Sequence, residues 1–163
     1  NLYDHKGVVN NSAFKRTSFR FNIDQKLNDY MNFGMNLTTS NIKNQNSQLG
    51  GDQYENSGII RGAIQQGPHI LPVDEFGNYP INPDSAQEPN PYSLLTISDE
   101  GTIDRMLTNF YLEIKPFTGL TARFQAGIDK GSSNRNTYLP RTTLWGEKEN
   151  GKATIASFKS FSI

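Results

Sequence analysis

Two stretches of this chain alternate well between apolar and polar residues on both sides of a tight turn, and nothing else in it constrains the fold as much. Phe19, Phe21 and Ile23 fall on one face of a segment from Thr17 to Leu27, with Arg20, Asn22, Asp24 and Lys26 on the other. After Asn28-Asp29 the alternation resumes, Met31, Phe33, Met35 and Leu37 standing against Asn32, Gly34, Asn36 and Thr38. Period-two patterning about a short polar break predicts a β-hairpin. A second hairpin has the same design. Met106, Thr108, Phe110, Leu112 and Ile114 alternate with Leu107, Asn109, Tyr111, Glu113 and Lys115, Pro116-Phe117-Thr118-Gly119 makes the turn, and Leu120, Ala122, Phe124, Ala126 and Ile128 return on one face.

Each arm runs about ten residues, the length with which a tilted strand crosses a bilayer. The turns at Asn28 and Pro116 are tight, whereas the opposite ends carry long polar connections, one from roughly 41 to 103 and another from Ser132 to about Gly151. Within the first, Glu55 to Gln66 predicts a short helix capped by Asn56 or Ser57 and ended by Gly67-Pro68; Asp74 to Tyr79 reads as a turn, and Pro80 to Pro91 as extended coil. A final strand starts at Lys152. Short turns at one end and long loops at the other are how outer-membrane barrels are built, and Tyr30 and Phe117 beside the tight turns fit an interfacial aromatic girdle.

Composition agrees with a sheet wetted on one side. Hydrophobic residues are 34% of the 163, low for a globular domain, yet aromatics reach 11% and the 16 basic residues balance the 16 acidic ones, which disfavours an expanded, disordered chain. Zero net charge selects neither nucleic acid nor an anionic surface. Cysteine is absent, which removes disulfides, thiolate metal sites and thiol catalysis. No run approaches the roughly 20 apolar residues of a membrane-spanning helix. The chain starts at Asn1 with no apolar leader and stops in a strand-like run, so it is expected to be an internal piece of a longer protein.

Alternation alone leaves two readings of the apolar face. It meets either lipid, in a barrel completed by strands outside this chain, or a second sheet, in a soluble β-sandwich that binds carbohydrate. Five or six strands are too few to close an ordinary barrel. No catalytic site is predicted. Acidic residues such as Asp74, Glu75, Asp99 and Glu100 are scattered, His5 and His69 have no metal-type partner at short spacing, and neither a nucleophile elbow nor a phosphate loop occurs.

An ordered set of short motifs resembles the barrel region of SusC/RagA-type TonB-dependent transporters. It runs from Asp4-His5-Lys6-Gly7-Val8-Val9 and Phe14-Lys15-Arg16 through Ser18-Phe19-Arg20-Phe21-Asn22-Ile23-Asp24-Gln25-Lys26 to Ser47-Gln48-Leu49-Gly50-Gly51. It continues with Glu55-Asn56-Ser57-Gly58-Ile59-Ile60-Arg61, Pro72-Val73-Asp74-Glu75-Phe76-Gly77-Asn78-Tyr79-Pro80 and Glu88-Pro89-Asn90-Pro91. Ile114-Lys115-Pro116, Gly119-Leu120-Thr121-Ala122-Arg123 and Arg135-Asn136-Thr137-Tyr138-Leu139-Pro140 complete it.

The resemblance implies an all-β fold over 1–163: five to six antiparallel strands of a transmembrane barrel of about twenty-two, with long extracellular loops and no plug domain. It also implies outer-membrane location and active import of glycans or peptides without a cofactor. The implied partners of the full-length protein are a SusD-like surface lipoprotein acting as a lid and the TonB complex. On this reading Phe19, Phe21, Ile23, Phe33, Met35, Phe110, Leu112, Phe124 and Ile128 face lipid. Arg20, Asn22, Arg123 and Gln125 face the lumen, where they either line the transport path or hydrogen-bond the plug of the full-length protein, and Tyr54, Phe76, Tyr79, Tyr92, Tyr138 and Trp145 lie in outer loops as candidate contacts for ligand or partner.

Overall fold

A computed structural model describes residues 1–47, 58–86 and 88–163. Six strands form one antiparallel sheet in sequence order: β1 (Leu2–Lys6), β2 (Ala13–Asn28), β3 (Met31–Gln45), β4 (Ser98–Phe117), β5 (Leu120–Leu139) and β6 (Lys152–Ser162). Every neighbour in the sheet is also a neighbour in sequence, so the chain simply runs up and down.

Both predicted hairpins form. Asp29 and Tyr30 turn β2 into β3, with the Asn28 side-chain oxygen accepting from the Tyr30 amide at 2.8 Å. Thr118 and Gly119 turn β4 into β5, and Gly119 has φ +92°, a conformation that side-chain-bearing residues rarely adopt. Pro116 sits where the register shifts between Ile114 and Phe117, an irregularity that tolerates a residue without an amide hydrogen. The two tight turns lie side by side, joined by a bond of 2.7 Å from the Lys115 amide to the Tyr30 carbonyl.

The strands outrun the sequence reading. β4 and β5 are each 20 residues long, and the extra length lies toward the long connections. The connections shorten to match: residues 46–97 rather than 41–103, and 140–151 rather than 132–151. The reason is physical. Beyond Thr39 and Met106 the strands no longer alternate apolar with polar, so periodicity carries no signal there although the backbone ladder continues.

At that end the connections build a small packed cap. It contains α1 (Ile59–Gln65), a 3₁₀ turn (Pro83–Ser85), α2 (Pro91–Leu94) and α3 (Leu144–Lys148). The helix expected over 55–66 is therefore found as 59–65, and its proposed caps Asn56 and Ser57 lie outside the described residues. The expected extended coil over 80–91 is corrected by two Asn-Pro starts. Asn82 and Asn90 each accept a bond from the amide two residues on, while Pro83 and Pro91 occupy first helical positions.

The buried apolar residues among those described, Ile59, Leu94, Ile97 and Leu139, all belong to this cap or to the strand end beneath it, with Val9, Leu95 and Trp145 packed against them. The sheet itself covers neither of its faces. Phe19, Phe21 and Phe124 are 55%, 44% and 63% exposed, and no second sheet exists among the described residues. A sandwich needs a second layer on those rings, and the described residues supply none. No described helix is long and apolar enough to cross a membrane, which says nothing of strands.

Candidate functional site

In an antiparallel ladder, residues directly opposite each other point to the same side. Ile23, Met35, Phe110 and Ala126 are opposite one another across β2 to β5. The rows on either side hold Phe21, Leu37, Thr108 and Ile128, and Gln25, Phe33, Leu112 and Phe124. Phe19 shares the next row with Thr39, Met106 and Lys130. All nine apolar strand residues singled out above thus stand on one face.

The apolar band on that face is bounded. From the Met106 row to the Ile114 row β4 climbs about 27 Å at 3.4 Å per residue, or about 21 Å once tilted by 40°. Above it the same face turns polar. One row holds Leu2, Thr17, Asn41, Asp104, Ser132 and Lys159, and the next holds Asp4, Lys15, Lys43, Thr102, Asn134 and Ser157, so that Leu2 is the one apolar residue of the two. Hydrogen bonds from Asn41 to Asp104 (2.6 Å) and from Ser157 to Asn134 (2.7 Å) tie neighbouring strands there.

The opposite face inverts the pattern. Beside the apolar band it carries Arg20, Asn22, Asp24, Lys26, Asn32, Asn36, Asn109, Glu113, Arg123 and Gln125. The Tyr111 hydroxyl donates to Asp24 at 2.6 Å, and the Arg123 guanidinium lies 4.1 Å above the Tyr111 ring. Gly34 makes this possible, because a Cβ there would overlap the ring. Glu113 accepts from Asn32 at 3.3 Å and pairs with Lys115 at 3.1 Å. Toward the long connections the face becomes more apolar: Tyr3, Arg16, Ile42, Ile103, Ser133 and Phe158 form one row across all six strands. Arg135 there grips the nearly fully buried Asp99 through two bonds of 2.8 and 2.5 Å, with Thr137 donating at 3.3 Å.

The candidate aromatic contacts scatter over the cap. Phe76 projects from the turn at 74–78 and is 89% exposed. The Asp74 carboxylate accepts from the amides of Phe76 (2.9 Å) and Asn78 (2.7 Å), and the Asn78 amide above all holds its pKa below the ordinary carboxyl value. Tyr79 and Tyr92 pair at 6.4 Å. Trp145 sits in α3 against the buried cluster. Tyr138 lies in β5, not in a loop. Tyr54 falls outside the described residues.

Sequence reasoning missed Asn90. Its side-chain amide shares its hydrogens among the carbonyls of Leu71, Pro72 and Pro80 at 3.0 to 3.3 Å, pinning two loop segments to the start of α2. The Asn-Pro pair was the available signal. A cavity of about 380 Å³ between α1 and α2 is lined by Ile59, Ala63, Pro68, Ile70, Pro91 and Leu95. Among the described residues no group of three or more His, Cys, Asp or Glu side chains converges where a metal would sit.

No family model matches the chain. Over 160 residues it is 23% identical to TonB-dependent receptor P39 of Formosa agariphila, covering 97% of this chain and 15% of the receptor. It is 26% identical to TonB-dependent receptor P26 of the same organism over 160 residues, 95% of this chain and 15% of that protein. The chain therefore spans about one seventh of the length of these relatives. Among solved structures it superposes on the RagAB peptide importer in its closed-closed state with a TM-score of 0.62 and 24% identity, over 86% of this chain and 16% of that one. In sequence the chain is thus similar to part of a TonB-dependent receptor along nearly its whole length, and in fold to part of the RagAB importer, as the motif resemblance implies.

Proposed function

We propose that this chain forms part of the wall and the extracellular loops of a TonB-dependent outer-membrane importer of oligosaccharides or peptides. One observation carries the reading. A single sheet bears a bounded apolar band on one side and a hydrogen-bonded polar surface on the other, with neither side covered. A band of that height, with aromatic Tyr30 and Phe117 exposed at its turn end, suits a hydrocarbon layer. Backbone groups at the free sides of β1 and β6 need further strands, because lipid supplies no hydrogen bonds.

On this reading the nine apolar residues from Phe19 to Ile128 touch acyl chains, and the polar face looks into the barrel. The tight turns are periplasmic and the cap is extracellular. The wall and loops do no bond chemistry; transport work comes from the TonB complex acting on the parent, and a SusD-like lipoprotein sits over the mouth. The full-length parent in bilayers tests this. A bimane on cysteine at Phe110 or Phe124 should be quenched by acyl-chain-attached spin labels, and one at Gln125 only by a water-soluble quencher. Equal aqueous quenching at all three sites would overturn the assignment.

A further inference from the structure

On the polar face toward the cap end, β1 and β2 bring three rings and one cation together, with a second cation about 14 Å farther along β2 at 3.4 Å per residue. Tyr3 stacks with His5 at 6.1 Å and 27°, and meets the edge of Phe14 at 5.8 Å and 69°. Arg16 is directly opposite Tyr3, and Arg20 lies on the same face two side-chain steps nearer the turn. All five side chains are exposed. The other arginines of this half of the face, Arg105 and Arg135, are each held by a carboxylate, Asp129 and Asp99. Arg16 and Arg20 meet none among the described residues.

We propose that this patch is a binding site for an acidic oligosaccharide entering the barrel. The inference rests on the transporter reading, which turns this face inward at the mouth. Two exposed guanidinium groups that meet no carboxylate among the described residues are open to anionic oxygens from a ligand, and their planar forks match carboxylate or sulfate. The Tyr3, His5 and Phe14 rings offer apolar outer faces and edges to the C–H groups of sugars. A peptide is the poorer match. It gains most by pairing its backbone with a free strand edge, and here β2 is committed to β1 and β3 while, on the transporter reading, the free side of β1 is taken by a further strand, leaving only side chains to contact.

The test uses the full-length parent in detergent, with three probes: hexagalacturonate, neutral maltohexaose and hexaglutamate. Hexagalacturonate should bind most tightly. The Arg16→Gln/Arg20→Gln pair should weaken it roughly tenfold or more, because charge-assisted bonds are lost. Tyr3→Ala should weaken both saccharides by about two- to tenfold. Maltohexaose binding should not respond to the arginine pair. No binding of hexagalacturonate to folded parent, equal or tighter binding of hexaglutamate, or an unchanged constant in the arginine pair would each overturn the proposal. If that pair does not give the heat-modifiable folded barrel, Arg16→Lys/Arg20→Lys replaces it, keeping the charge but losing the fork; it should weaken hexagalacturonate and spare maltohexaose, and no change refutes the site. Failure of the transporter reading looks different, as a parent that remains monodisperse without detergent.

Discussion

Replacing Phe110 with lysine places a cation in the central row of the apolar band, flanked by Met35 and Ala126. Phe110 is four residues from both Met106 and Ile114, so each limit of the band lies about 14 Å away along the strand. At such depth a lysine on a lipid-facing strand costs about 2 to 4 kcal/mol, against about 0 to 1 near an interface. Met106→Lys, at the upper limit beside Lys130, should therefore cost about 1 kcal/mol or less. Gln125→Lys, on the opposite face and exposed, should stay within about 0.5 kcal/mol of the parent. The assay is reversible guanidinium unfolding of the full-length parent from lipid vesicles, followed by tryptophan fluorescence, with the slope checked for constancy. The ordering Phe110, then Met106, then Gln125 is the signature of depth. A Gln125→Lys cost equal to that of Phe110→Lys, or one independent of depth along β4, would refute the assignment of faces.

Two further outcomes concern the cap. Asn90→Ala removes the donated bonds and the start of α2, at a residue only 4% exposed, and should destabilise the cap by about 2 to 3 kcal/mol. Amide exchange should accelerate at Tyr92 and Ser93 while β4 and β5 stay protected; uniform protection would show that the Asn90 bonds hold nothing. The Asp74 turn should respond to acid. Its carboxyl is more acidic folded than free, so its contribution is complete above the ordinary value of 3.8 and is lost as pH falls through the lower folded value. Amides of Phe76 and Asn78 should stay protected down to that range, and Asp74→Ala should expose them at neutral pH. Loss of protection already near pH 5 would contradict the bonding seen.

Within each strand, the residues that share a side follow from the pleat alone, so Phe19, Phe21 and Ile23, or Phe110 and Leu112, were readable as sets from local order. The Asn28 and Gly119 turns were equally local, since polar and glycine residues there have few other backbone options. The motif resemblance was legible for the same reason: it is order along a chain. Three things were not. That the β2 and β5 sets share one side depends on ladder register, a long-range property. The upper strands carry mixed residues on both sides, so their extension to Gln45, Ser98 and Leu139 leaves no periodic trace. The cap core joins Val9, Ile59, Leu94 and Leu139, far apart in sequence and brought together only because three connections end on the same side of the sheet. Local alternation therefore determined that the chain makes amphipathic ribbons, whereas the pairing of those ribbons decided where the apolar band ends and where unpaired cations meet rings. Side-chain direction is dictated by the backbone of a single strand, but adjacency between strands exists only after the ladder has closed.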